Sequence, residues 1–416
     1  MDASNPTTPE IQRKPISVKA QIFCTAVFLA CQIALPTLLY YISRIDPQTG
    51  VGANIPSAIA LGTMALCIAF VLTLCKKPLF LSCCVLGLFA SFLVSPRFCA
   101  LFAALLCATV SGAALLADAK GARYLPFIIT APAAFGLSLL LTKSLFFSLL
   151  ALLPALGAIA LAVSFRRKIS IIVSVGAVTG TLTVAILLLI LAELLASGMP
   201  FSVQGLTDAV KELHTALSSM FAQTLQLMSE TEELAIAVEQ MLGGTPDAQA
   251  IAKFSDSVAY ALLGLLPGST IMVLWLFSFT AHRGFTAILI SGQPREVCPA
   301  HLSQYAPSIP TAVLMLLCYG LLLITSMIPR AEAVTFVAIN LLLVLMPILA
   351  VSGIAGIVTN VKRAPVKWPL ILTYVIAFMF LGLAIVPMLS FFGAFGVIFQ
   401  AITKALEKKM KDFKGE

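Results

Sequence analysis

The sequence predicts an all-α fold, a polytopic transmembrane helical bundle with about 11–12 spans. Hydrophobic residues make up 60% of the 416 residues and charged residues only 11%, and the mean hydropathy is +1.04. A soluble protein carries roughly a quarter charged residues. The apolar residues are also gathered in long runs, and about 20 residues of helix cross a bilayer. The chain is therefore predicted to be a multi-pass protein of the cell membrane, with the lipid bilayer as its main partner.

The chain opens with a polar tail, residues 1–19, in which Arg13, Lys14 and Lys19 precede the first apolar run. This start resembles a signal peptide. However, the apolar run extends over residues 20–42, which is longer than a signal-peptide core. We therefore expect a cytoplasmic N-terminal tail followed by a retained first span.

Two blocks of apolar runs follow, separated by a polar segment. The N-terminal block, residues 20–196, contains runs at 20–42, 57–75, 78–95, 98–117, 124–142, 144–165 and 169–196. The C-terminal block, residues 256–403, contains runs at 256–281, 306–328, 332–358 and 368–402. Prolines inside these runs predict kinks that neighbouring helices can tolerate; they are Pro36, Pro132, Pro154, Pro267, Pro347 and Pro387.

The last apolar run is too long for one span, since about 35 residues of helix would measure some 50 Å. We predict a tight hairpin, broken between Pro387 and Gly393. It would return a basic tail, residues 404–416, to the cytoplasm and give twelve crossings.

Residues 197–255 form an acidic segment unlike the rest of the chain. Eight of the 18 acidic residues lie between Ser197 and Asp256. Its apolar residues, such as Leu206, Val210 and Leu213, recur at spacings of three and four, which is typical of an amphipathic helix. We predict one or two extracytoplasmic helices, broken near residues 243–246, that lie on the membrane surface or cap the bundle. The alternative is a solvated spacer.

The basic residues are distributed as orientation signals. With the N-terminus in the cytoplasm, the basic clusters fall inside and the acidic segment falls outside, which satisfies the positive-inside rule. Those clusters are Lys76–Lys77, Lys120 with Arg123, Arg166–Lys168, Arg283 with Arg295, and Lys362–Arg363 with Lys367. The net charge of +8 therefore does not indicate a nucleic-acid partner.

Three polar residues inside the apolar runs are the candidate substrate-binding residues: Gln32, Glu193 and Asn340. A polar or ionised side chain at membrane depth is costly and usually faces the bundle or a water-filled cavity. Each residue also has a plainer interpretation. Glu193 lies four residues before Ser197 and fits the outer interface, and the two amides fit hydrogen bonds between helices.

Catalytic and metal-binding patterns are not found in the sequence. The three histidines are scattered, nine of the ten cysteines lie in or beside apolar runs, and HExxH, GxSxG and P-loop motifs are missing. No metal site and no cofactor are predicted, and an enzyme is the least favoured functional class.

Small residues recur every four positions in three runs: Ala26, Ala30 and Ala34; Ala100, Ala104, Ala108 and Gly112; and Gly176 with Gly180. Such faces let helix backbones approach closely. They favour either packing within the chain or docking on a membrane protein partner.

The order of elements in the C-terminal half resembles a known family. Leu265–Gly268 places a proline in mid-span, a proline-containing loop runs from His282 to Pro310, Ser352–Val358 precedes a basic turn, and Phe392–Gly396 precedes the basic tail. This succession is similar to the YybS-like family of uncharacterised bacterial membrane proteins, distant relatives of the substrate-binding S components of energy-coupling-factor vitamin transporters. The resemblance implies a helical membrane fold.

Two functions are compatible with these features. The first is binding or transport of a small molecule as a subunit of a larger complex, which the S-component resemblance and the small-residue faces favour. The second is a membrane scaffold or assembly factor for envelope or cell-shape processes, in which the acidic segment would be the partner surface.

Overall fold

The computed structural model describes residues 18–45, 52, 54–74, 96–117, 124–167, 169–196, 198, 202–290, 305, 307–325, 327–328, 332–363, 365, 367–369, 372–374 and 385–414. Within these ranges the chain forms thirteen helices and no β-strand, which confirms the predicted all-α class. The predicted run at 78–95, the first seventeen residues of the polar tail and most of the loop from His282 to Pro310 fall outside the described residues.

The thirteen helices are α1 Val18–Ile42, α2 Asn54–Leu74, α3 Pro96–Ala117, α4 Leu125–Thr142, α5 Leu145–Leu150, α6 Leu153–Arg166, α7 Ile171–Ala196, α8 Val203–Ser229, α9 Glu232–Leu242, α10 Ala248–Ile290, α11 Ile309–Thr325, α12 Glu332–Arg363 and α13 Ile385–Lys414. In the described part of the chain, nine helical segments are long and apolar enough to span a membrane, and α11 is a shorter apolar helix. The protein is therefore an integral, multi-pass membrane protein.

The chain divides into two compact units. The first contains residues 1–189 and 274–306, and the second contains residues 190–273 and 307–416. The divisions fall inside α7 and α10, so each of these helices contributes residues to both units. The domain boundaries predicted from the sequence lie instead at the two ends of the acidic segment. Composition indicates which residues face lipid or water, and it does not indicate which helices pack together.

The core of the first unit is built around α1 and α3, which pack against each other and against α2 and α4; α3 also packs against α6. Gly112 on α3 makes this possible, because a methyl group there would lie 2.7 Å from the Phe28 ring and 2.9 Å from Ala158 Cβ. Ala100, Ala104 and Ala108 on the same face are fully buried. This small-residue stripe therefore packs within the chain.

The other two small-residue faces are different. Ala26 and Ala30 on α1 are exposed, and so are Gly176 and Gly180 on α7. A methyl group on either glycine would meet no atom within 4 Å. Ala34, the third residue of the α1 face, is half-buried, but within the described ranges the exposed positions of these two faces are not covered by another helix.

In the second unit, α11, α12 and α13 pack together. Two glycines bring α12 and α13 into backbone contact: a Cβ on Gly353 would overlap the Leu389 carbonyl, and a Cβ on Gly393 would overlap the Leu349 carbonyl. Two of the sequence motifs that carry the family resemblance therefore meet each other here.

The predicted hairpin between Pro387 and Gly393 is wrong, because α13 is one continuous helix from Ile385 to Lys414. Pro387 lies in the first turn, where a missing N–H costs no helical hydrogen bond. Gly393 is a packing residue and not a turn. The basic residues from Lys404 onward accordingly belong to the last turns of α13.

The acidic segment is helical, as predicted. It forms α8 and α9, which pack against each other, and Leu225, Val238 and Ile251 join them to the start of α10 in a small core. The predicted break near residues 243–246 is confirmed, since α9 ends at Gly243 with a left-handed φ of 70°. A second break, at Glu230 and Thr231, separates α8 from α9.

Candidate functional site

Gln32 lies near the middle of α1 and is completely buried in the first unit. Its Nε2 donates a hydrogen bond to the Ala151 carbonyl oxygen at 3.0 Å, while its Oε1 is buried without a hydrogen-bond partner. A buried polar atom that lacks a partner costs about 1–3 kcal/mol. The amide nitrogen of Gln32 therefore links α1 to the backbone at Ala151. The amide oxygen is an acceptor that a hydrogen-bond donor would stabilise.

The Ala151 carbonyl that accepts from Gln32 lies where the helix breaks. Helix α5 ends at Leu150, Ala151 and Leu152 form a turn, and α6 begins at Leu153 with Pro154 in its first turn. Pro154 has no N–H, so the regular hydrogen-bond ladder cannot pass through this position. The predicted span at 144–165 is thus two helices, and Gln32 bonds to the turn between them.

Helix α1 is disturbed at the same place. Pro36 lies one turn after Gln32, inside α1. Because a proline offers no N–H to the carbonyl four residues earlier, the Gln32 carbonyl loses its usual helical partner. Two stretches with incomplete backbone hydrogen bonding therefore meet at Gln32. In membrane proteins, interrupted helices of this kind are common at midplane binding sites.

A group of hydroxyls lies on the neighbouring helices α4 and α5. Thr142 Oγ1 donates to the Ser138 carbonyl oxygen at 2.8 Å and lies 3.5 Å from Ser148 Oγ. The Ser138 hydroxyl is itself buried without a partner. The rings of Tyr40 on α1 and Phe147 on α5 make an edge-to-face contact at 5.5 Å, which holds α5 against α1.

The buried polar side chains of the described residues are neutral groups or histidine. Among the described residues, the buried polar side chains are those of serine, threonine, Gln32 and His282, and no aspartate, glutamate, lysine or arginine is buried. Tyr305, outside the spans, is also buried, and burial raises the pKa of its phenol. The described interior therefore offers neutral hydrogen-bonding groups and no charge partner for an ion.

Asn340 lies on α12 in the second unit and is half-buried. Its Nδ2 donates to the Gly264 carbonyl oxygen at 2.6 Å and to the Phe336 carbonyl oxygen at 2.8 Å, and its Oδ1 accepts from the Gly268 amide at 2.6 Å. The side chain thus spans the hydrogen-bond position between Gly268 and Gly264 of α10, next to Pro267. Both amide hydrogens are used inside the protein.

The two glycines beside Pro267 allow α12 to approach this closely. A methyl group on Gly268 would lie 2.6 Å from Asn340 Oδ1, and one on Gly264 would lie 2.6 Å from the Phe336 ring. Asn340, on the neighbouring helix α12, therefore supplies hydrogen-bond partners to the backbone of α10 beside Pro267.

Glu193, the third candidate residue, is exposed near the end of α7 and belongs to the second unit. The interfacial interpretation of Glu193 stays a prediction. The structure therefore places Gln32 in one unit and Glu193 and Asn340 in the other.

Sequence reasoning missed the groups that surround Gln32, above all the Ala151 carbonyl, which lies 119 positions away. Pro154 in the sixth run was the available signal. It also missed the side-chain contacts that Cys67 makes with Cys31 and Cys107 across α1, α2 and α3. No group of three or more histidine, cysteine or acidic residues in the described ranges is placed to hold a metal ion.

The chain matches no family model, no curated protein and no solved structure.

Proposed function

We propose that the protein binds a small uncharged molecule beside Gln32, within the first unit, and that this binding serves transport or delivery of the molecule as part of a larger membrane complex. The observation that carries the proposal is the half-used amide of Gln32: a fully buried acceptor, Oε1, beside a broken helix and a proline-disturbed helix. The ligand would donate a hydrogen bond to Oε1 and would leave the Gln32 to Ala151 bond in place.

The chemistry of the interior supports a neutral ligand. A charged ligand would need a buried counter-charge to offset its desolvation. Among the described residues the buried polar side chains supply hydroxyls, the Gln32 amide and the His282 imidazole, but no carboxylate, ammonium or guanidinium. The resemblance of the C-terminal half to S-component relatives favours the same class of function.

The first test is extraction of bound small molecules from gently solubilised protein, followed by mass spectrometry. Gln32→Leu keeps the side-chain size but removes the acceptor, and Gln21→Leu on the same helix is the matched control, since Gln21 lies near the start of α1 and is only partly buried. We expect a neutral compound in the unaltered protein and in Gln21→Leu, and its loss in Gln32→Leu. Unfolding temperatures of all three proteins distinguish loss of ligand from loss of fold.

Equal retention of the compound by Gln32→Leu, or a protein that carries no compound in any preparation, would refute this assignment.

The second candidate function, a membrane scaffold or assembly factor for envelope or cell-shape processes, is favoured by one observation, the exposed apolar residues of α8. Stable envelope partners in the same purification, without a bound compound, would support it.

A further inference from the structure

Helix α8 presents an apolar face that nothing else in the described chain covers. The residues of this face, which we call the α8 stripe, are Val203, Leu206, Val210, Leu213, Leu217, Met220 and Leu227. Leu217 is half-buried, and the other six are exposed, from 45% for Leu213 to 85% for Val203. Monomeric proteins rarely expose so continuous an apolar row, and such rows mark interaction sites.

The α8 stripe is not the face that holds α8 to its own chain. That contact uses Leu225, which packs with Val238 and Ile251, and His214, whose Nε2 lies 3.5 Å from an Asp256 carboxylate oxygen. These residues lie on an adjacent side of the helix. The intramolecular packing of α8 is therefore complete without the stripe.

The spacing of the stripe is a strict heptad repeat. Including Thr224, the intervals from Val203 to Leu227 alternate between three and four residues without exception. A period of 3.5 residues is the signature of a supercoiled helix pair, whereas a single helix lying on a flat surface follows a period of 3.6.

We propose that the α8 stripe pairs with the α8 stripe of a second copy of this chain as a parallel two-stranded coiled coil. The residue types identify this occupant. The heptad consists of pairs of core positions three residues apart. The first position of each pair holds Val203, Val210, Leu217 or Thr224, three of which are β-branched, and the second position holds leucine or methionine. β-Branched residues at the first core position with leucine at the second favour parallel dimers.

The charges of α8 support a second copy over the membrane surface. Its charged residues are Asp208, Lys211 and Glu212, all outside the stripe. The positions that flank the stripe hold no carboxylate, lysine or arginine; among them are Ala209, Ala216 and Gln223. Two identical helices can therefore pair without like-charge repulsion. Helices that lie on membranes instead carry a lysine- and arginine-rich polar face, which α8 lacks.

The test is disulfide cross-linking of the full-length protein in membranes, on a background cleared of native cysteines. Leu206→Cys and Leu213→Cys place a thiol in the stripe, and Thr215→Cys, an exposed position outside the stripe, is the matched control. On oxidation we expect dimers from both stripe variants and none from the control. Cross-linking of Leu206→Cys with itself also identifies the parallel arrangement, because in an antiparallel pair this residue lies opposite the other end of the stripe.

A second measurement uses the chain with its native cysteines and reports mass in detergent by light scattering. We expect a dimer for the unaltered protein and for Thr215→Glu, and a monomer for Leu213→Glu at an unchanged unfolding temperature. A monomeric unaltered protein, cross-linking at Thr215→Cys equal to that at Leu213→Cys, or cross-linking only between Leu206→Cys and Leu227→Cys chains would overturn the proposal. Quenching of the indole fluorescence of Leu213→Trp by brominated lipid would overturn it in favour of the membrane surface.

Discussion

At the scale of single residues, two amides illustrate two uses of a polar group inside a membrane. Asn340 makes three hydrogen bonds to backbone groups, at 2.6, 2.6 and 2.8 Å. Gln32 makes one, at 3.0 Å, and keeps a buried acceptor without a partner. A fully used side chain stabilises helix packing, whereas a half-used one is the better candidate for a ligand contact.

The sequence identified both residues because polar side chains are rare in apolar runs. It could not separate their uses, since the decisive partners are backbone groups of distant helices. Ala151 and Gly264 carry no side-chain signal for a hydrogen bond, and only the fold brings their carbonyls to the amides.

Replacing Asn340 by leucine is expected to destabilise the protein by about 1–3 kcal/mol, because the Gly264 carbonyl and the Gly268 amide would be left without partners in a low-dielectric site. Ser269→Ala is the matched control: Ser269 is half-buried and its hydroxyl donates within its own helix, to the Leu266 carbonyl. Denaturant-induced unfolding in detergent measures the free energy of unfolding of both variants. Equal stability of the two variants would mean that Asn340 does not hold α10 to α12.

At the scale of helices, a glycine or proline can either interrupt a helix or lie within one, and the sequence alone does not distinguish these two roles. Pro154 does interrupt a span, at the junction of α5 and α6. Pro387 does not, because it lies in the first turn of α13, and Gly393 serves contact with α12. The predicted hairpin failed for this reason. By contrast, Gly243 ends α9 as expected, since its left-handed φ of 70° suits glycine.

The contact between α12 and α13 gives a sharp test of this interpretation. Gly393→Val would force a side chain onto the Leu349 carbonyl, where backbone leaves no room. Gly396→Val lies three residues later on the same helix and would meet no atom within 4 Å. We expect Gly393→Val to cost more than about 3 kcal/mol, above the usual range for overpacking, and Gly396→Val to cost little. Yields of monodisperse protein and unfolding temperatures compare them; similar values for both would contradict the close contact.

At the scale of the whole molecule, composition was a sufficient guide to class. A chain with 11% charged residues and long apolar runs has to be a membrane protein, and the described part of the chain has nine segments able to span. The division into two units was not accessible from composition, because it depends on which faces of α7 and α10 pack with which neighbours. The cytoplasmic location of the N-terminus, drawn from the distribution of lysine and arginine, stays a prediction.

In the proposed function, Gln32 Oε1 accepts a hydrogen bond from a neutral ligand in the first unit. A cryo-electron microscopy map of the unaltered protein in lipid nanodiscs tests it most directly. We predict non-protein density, larger than one water molecule, with an atom within about 3.2 Å of Gln32 Oε1. A map in which a protein donor, or a single water molecule, completes the Gln32 amide would contradict the claim.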